Sequence, residues 1–274
     1  MKKLTIMIFV LAFALLNNVD AQDNKTVVIT VSGDGPTKQE ALQTALRNAI
    51  EQAFGTFISS KTQILNDELF SDEIVSVSNG NIHGYNVISE VQTPDGHWNN
   101  TVKAIVSVDK LTSFCESRGV DVEFKGSLFA LNIKQQMLNE KNELEVLINM
   151  KGVLKKMMQN LYDYKININQ PYRDGELWKI EGQIIGEMNK NIEFVSDYMY
   201  VTIRGLSCNE IEVENYFSLN KKVLYVAFEP FDTKEKKPEL FALRNEKSLK
   251  ELMGVFSDLR ESFFNFKMAI YKDK

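Results

Sequence analysis

Ala41, Leu42, Ala45, Leu46, Ala49, Ile50, Ala53 and Phe54 recur at the i, i+1, i+4, i+5 spacing of an amphipathic helix. Half of that face is alanine, so the helix can lie close against a sheet. The partner is at hand: residues 26–32 (TVVITVS) carry the Val, Ile and Thr content of a strand. Gly33-Asp34-Gly35-Pro36 is expected to break the strand. Thr37 and Glu40 then form a T-x-x-E capping box at the helix start, and Gly55 is a natural stop. A strand feeding a small-faced helix commits this part of the chain to sheet-and-helix layers.

The rest of the first unit continues the pattern. Residues 56–65 read as extended, and Asn66-Asp67 can cap a short helix over about 67–77. Residues 81–92 and 97–108 form the strongest hairpin signal, with Pro94-Asp95-Gly96 as the turn. The order is β-α-β-α-β-β. A short polar boundary falls near 110–122. Beyond it the spacing predicts a strand at 127–133 (SLFALNI), a helix at 140–162 and a hairpin over 164–170 and 177–187 around Arg173-Asp174-Gly175. A helix at 190–205, strands at 222–229 and 239–244, a helix at 246–264 and a short closing strand complete it. An α+β fold of two units, each a mainly antiparallel sheet layered with helices, fits this order better than a doubly wound parallel sheet. The expected organisation is 1–21 signal peptide, 24–112 first domain and 120–274 second domain.

Residues 1–21 (MKKLTIMIFVLAFALLNNVDA) read as an export signal. Lys2 and Lys3 supply the positive start, and Leu4 to Leu16 is apolar apart from Thr5. Val19-Asp20-Ala21 places small residues for cleavage between Ala21 and Gln22. Thirteen residues are short for a membrane span, and no Cys near the cleavage point could take a lipid. The expected location is the periplasm of a Gram-negative cell, with the extracellular space as the alternative, and no membrane span in the mature chain.

Full-chain charge is −5, and without Lys2, Lys3 and Asp20 the count is 30 basic against 36 acidic, or −6. An acidic chain without a basic stripe does not suit nucleic acid, whose phosphates need clustered Lys and Arg. Cys115 and Cys208 are the two cysteines. An even count in an oxidising compartment allows a disulfide between them, and two buried thiols are the other reading.

Reactive constellations are sparse. Gly33-x-Gly35 sits where backbone amides can hold phosphate, but position 38 is Lys rather than Gly, and Pro36 removes a donor. A turn with a helix cap is the better reading. His83 and His97 are the only histidines, and two ligands do not make a zinc site. Neither comes with a nucleophile motif for a triad. Asp72, Glu73, Glu143, Glu145, Glu210, Glu212 and Glu214 could include a hydrolytic pair, but nothing in their spacing singles one out. Glu210, Glu212 and Glu214 alternate with Ile211 and Val213 as on an exposed strand or loop. Phe194, Tyr198 and Tyr200, and Phe263, Phe264 and Phe266, fit core packing better than a ligand platform, and Trp98 and Trp178 follow the same logic. No catalytic residue, cofactor site or metal site is expected.

The run Gly33-Asp34-Gly35 followed by EALQTALRNAIEQAFGTFISSKTQILND resembles the N-terminal domain of flagellar assembly protein T and related small bacterial envelope lipoproteins. So do Gly80-Asn81-Ile82, Tyr85-Asn86-Val87 and the hairpin to Val102–Val108. The resemblance covers about Val27 to Leu111. It implies an α+β module that helps assemble a periplasmic ring or binds envelope partners, without catalysis. Residues 120–274 do not resemble the later domains of that protein. The whole arrangement resembles secreted proteins of anaerobic Gram-negative bacteria in which this module precedes a second domain. The expected role is a non-catalytic, soluble envelope protein that binds or assembles with protein partners. A secreted hydrolase using paired carboxylates and a small-molecule-binding protein are the alternatives.

Overall fold

The computed structural model describes residues 25–60, 80–117, 122–124, 128–229 and 238–264. The export segment with Ala21 and Gln22, the helix expected at 67–77 and the closing strand lie outside them. The chain is α+β, with six α-helices and several antiparallel sheets among the described residues.

β1 (Thr26–Gly35), β3 (Ile82–Gln92) and β4 (Trp98–Ser107) form one antiparallel sheet in the order β1-β4-β3. Val27, Ile29 and Val31 of β1 stand opposite Val106, Ala104 and Val102 of β4, and all six are buried. They face α1 (Lys38–Phe57), whose Ala41, Ala45, Ala49 and Ala53 are buried against them. Glu40 N–H donates to the Thr37 hydroxyl at 3.2 Å, the expected cap. The strand does not break at Gly33. It runs to Gly35 because the glycines are needed for close approach rather than for a turn. A Cβ on Gly33 would lie 2.5 Å from the Ala41 carbonyl oxygen, and one on Gly35 would lie 2.6 Å from the Ala41 nitrogen. Gly55 does not stop the helix either, because Phe57 is still buried in the core at its end. Only Ile58–Ser60 of the expected strand after it is extended among the described residues; this is β2, paired with β5 (Val122–Phe124).

The polar stretch expected as a boundary contains α2 (Val108–Ser117), which buries Val108, Leu111 and Cys115. The fold then departs most from expectation. Leu128–Ile133 of the expected strand is helical instead, forming the start of α3 (Leu128–Met157). Apolar strand-type residues at its start join directly to KQQML, with no Gly or Pro until Gly152, so nothing stops the helix from including them. α3 serves two cores. Leu138 joins the cluster around α1, while Val146, Leu147, Met150 and Leu154 join a second cluster. That second cluster also takes in α4 (Asn191–Leu206), the pair β10 (Leu224–Phe228) and β11 (Glu239–Leu243), and α6 (Glu246–Phe264).

α3 and α4 lie on the sheet face opposite α1. Gln135 of α3 reaches Val28 on β1, donating to its carbonyl at 2.6 Å and accepting from its N–H at 3.3 Å. A Cβ on Gly205 of α4 would meet the Ile88 side chain, and Val91 packs into the second cluster. α5 (Glu210–Ser218) stands where an exposed strand or loop was expected. Asn209 and Glu212 form a full capping box, so the local signal was N-x-x-E rather than the alternation of acids. Among the described residues no helix is long and apolar enough to cross a membrane.

Candidate functional site

Two features stand out, a projecting hairpin and a polar cavity. The hairpin joins β6 (Tyr162–Ile168) to β9 (Gly182–Met188), with β7 (Tyr172–Asp174) and β8 (Leu177–Lys179) at its tip. Pairings Tyr162↔Met188, Tyr164↔Gly186, Ile166↔Ile184 and Ile168↔Gly182 place Tyr, Tyr, Ile, Ile, Ile and Met on one face. The other face holds Asp163↔Glu187, Lys165↔Ile185 and Asn167↔Gln183. This alternation is the pattern of a half-buried sheet. Yet every residue from Asp163 to Met188 is exposed except half-buried Ile185; Ile168 is 68% and Trp178 70% exposed. Internal ties hold the arm: Lys165–Glu187 at 3.2 Å, Lys179–Asp174, and the Tyr172 hydroxyl donating to Glu181 at 2.8 Å. Leu161 anchors its base in the second core, and its carbonyl accepts from Asn189 N–H at 3.0 Å. Thirteen residues on one side (162–174) and twelve on the other (177–188) give on the order of 40 Å of ribbon.

The cavity, about 560 Å³, lies between the outer face of β1, the first half of α3, and α5. Asn132, Gln136, Asn139, Asn142 and Asn215 give it a carboxamide lining. Its floor is a buried ion cluster. Both Glu143 oxygens accept from the Arg244 backbone N–H, at 3.0 and 3.1 Å, and Oε2 also accepts from Nη1 at 2.9 Å. Arg244 Nη2 donates to Glu212 Oε1 at 2.9 Å, and Glu212 Oε2 accepts from Asn209 N–H at 3.1 Å. Nη1 also donates to the Leu206 carbonyl at 2.5 Å. Burial pushes the Glu143 carboxyl up, and Arg244 opposes that shift. All four carboxylate oxygens already accept protein hydrogen bonds. The cluster therefore joins α3, α4 and α5 to Arg244, just beyond β11, and this commitment argues against an acid–base role for these two acids.

The sequence named Glu143 and Glu212 among many acids and could not pair them; the fold brings them onto one guanidinium, and Arg244 was missed. Glu145 pairs with Lys141 on an exposed surface, Glu210 and Glu214 are exposed, and Asp72 and Glu73 lie outside the described residues. His83 and His97 do not meet: both are exposed, one at the start of β3 and the other beyond its end. Cys115 and Cys208 are free thiols, in the α1 core and beside the ion cluster respectively; the disulfide is not formed here. Burial pushes each thiol up to about 11, so both are protonated at neutral pH. Tyr198 is buried, with its hydroxyl 3.4 Å from Asn99 Oδ1, and Tyr200 packs on Phe228 and Phe241. Phe194 is exposed instead. Trp98 is half-buried beneath the Lys38 ammonium, 4.5 Å from the ring centroid. Trp178 is not core at all, contrary to expectation, since it stands near the arm tip where no second layer covers it. Among the described residues no three His, Cys, Asp or Glu side chains are placed to hold a metal.

Comparison of the chain with protein-family models, with curated proteins and with solved structures gives no match.

Proposed function

We propose that this chain is a non-catalytic, exported envelope protein that works by binding a protein partner, and that the β-arm is the element it binds with. The observation that carries the reading is the alternating apolar face of the arm, held out in water. A two-stranded ribbon is marginal alone and gains stability when a third strand or a covering layer is added. A contiguous exposed apolar patch marks an interaction surface. The occupant that fits is a protein offering an extended segment: among the described residues β6 and β9 pair only with each other, so each keeps an outer edge that can accept a strand. The resemblance of Val27 to Leu111 to an envelope assembly domain supports the same reading, as does the export signal at residues 1–21.

The test is site-specific photo-crosslinking in intact cells of the native host. Probes at Ile168 and Trp178 should give one and the same protein adduct, with a probe at the exposed Lys247 of α6 as control. Ile166→Ser with Ile184→Ser should abolish that adduct without unfolding the chain. Equal labelling from Lys247, or labelling that survives the double substitution, would defeat the proposal.

A further inference from the structure

The arm leaves the cavity without a role, and the cavity contains an unusual group. Asn142 is only 2% exposed, its side chain lines the cavity, and neither its Oδ1 nor its Nδ2 has a partner. A buried carboxamide without hydrogen bonds is costly, because each group loses its bonds to water and gains none in return. A native fold seldom keeps one unless something completes it. Arg244 Nε, also at this floor, is a second buried donor without a partner. The rim is open: Thr26, Asn132, Asn209, Asn215 and Ser218 are all exposed. A molecule can therefore enter the cavity from solvent.

We infer that the cavity is a binding site for a neutral, hydroxyl-rich ligand the size of a mono- or disaccharide, which completes Asn142. Three observations select that class. First, the charged side chains of the lining balance: Lys103 and Arg244 against Glu143 and Glu212, with Arg244 already held by both acids. A phosphate or carboxylate would find Lys103 alone. Second, a carboxamide presents a donor and an acceptor side by side, which a pair of vicinal hydroxyls matches, since each can give and take a hydrogen bond. Asn132, Gln136, Asn139 and Asn215 repeat that chemistry around the walls. Third, the lining contains no exposed ring. Tyr216 is 1% exposed, so a nucleobase has nothing to stack on. The volume falls within the range of small-molecule pockets.

This inference does not rest on the arm, and either can fail alone. The test uses the mature chain with glucose, galactose, N-acetylglucosamine, cellobiose, lactose and chitobiose. Each is titrated calorimetrically and by thermal melting at no more than about 10 mM, where non-specific stabilisation by excluded sugar is small. At least one should bind with one-to-one stoichiometry and raise Tm by about 2–4 °C once its concentration is several-fold above Kd. Asn142→Leu should weaken that binding about tenfold or more, the loss of a buried hydrogen-bonded pair. In the absence of sugar it should melt no lower than the wild type, because it removes an amide that has no partner. Three results would overturn the inference: no saccharide binds; adenosine, uridine or diglycine binds in their place; or Asn142→Leu leaves the affinity unchanged. A lower melting point for sugar-free Asn142→Leu would also overturn it, by showing that the amide is satisfied within the protein alone.

Discussion

β3–β4 and the β6–β9 arm are two hairpins built on the same local chemistry and left in opposite surroundings. One turns at Pro94-Asp95-Gly96, the other at Arg173-Asp174-Gly175, and each turn glycine has a positive φ, 86° and 64°. Each carries an alternating apolar face. In β3–β4 the apolar residues of β4 (Val102, Ala104 and Val106) meet α1 and Ile88 of β3 meets α4, although Tyr85 and Val87 stay exposed. In the arm only Tyr162, at its base, packs against the body, and the apolar face from Tyr164 outward is exposed. Hairpin formation is therefore settled within each short segment, while coverage is settled by helices far away in sequence. The difference separates what stabilises this molecule from what it can offer to others.

The largest expected effect lies in the ion cluster behind the covered sheet. Arg244→Met would leave Glu143 buried with no counter-charge, which costs about 3–5 kcal/mol. Chemical denaturation should show the loss as a lower midpoint. The paired substitution of both Glu143 and Arg244 by apolar residues should recover much of it. If the single variant unfolds at the wild-type midpoint, the layer behind β1 and β4 is not held as described.

Gly33→Ala comes next. Its Cβ would press on the α1 backbone, and overpacking of this kind costs about 1–3 kcal/mol. By contrast Ile166→Ser on the arm should stay within about 0.5 kcal/mol of wild type in the same assay. A large loss at Ile166 would mean that the body covers the arm, and the contrast between the hairpins would collapse.

What could be read from the sequence was mostly what is decided locally. The β1–α1 pair was legible because its alanine periodicity and capping box are local. Both hairpins were legible from their turns, and α6 and the β10 and β11 pair from apolar spacing. The start of α3 was not: Phe129, Leu131 and Ile133 suit a strand by type, and only the uninterrupted helix-forming sequence after them decides the matter. α5 was hidden by alternating acids, although Asn209 and Glu212 held the cap signature. The cavity was not legible at all, since Val28, Asn142 and Tyr216 come from separate segments and meet only in the folded chain.

A matched pair of smaller changes sharpens the contrast. Alanine at a positive-φ glycine costs about 1–2 kcal/mol. Gly96→Ala should lower global stability by that amount and the midpoint with it, because its turn closes a strand of the central sheet. Gly175→Ala should leave the midpoint in place and instead speed amide hydrogen exchange across residues 162–188, because the arm can open without the body. A global loss from Gly175→Ala would show that the two hairpins are one cooperative unit.

The smallest effect concerns Asp95, which ties the β3–β4 turn to the end of α3. Its carboxylate accepts from Lys156 Nζ at 2.7 Å. That hydrogen bond, with help from Thr93, holds the Asp95 carboxyl well below the usual carboxylate range. The folded chain therefore binds fewer protons here than the unfolded chain in mild acid, and stability falls as pH drops below about 4. The side chain is exposed, so the contribution is small and salt should screen it. Asp95→Asn should make the denaturation midpoint fall less steeply between pH 5 and pH 2 than in the wild type, and 0.5 M NaCl should narrow the gap between them. Parallel acid profiles for the two proteins would mean that the Lys156 tie adds nothing to how the second unit grips the covered hairpin.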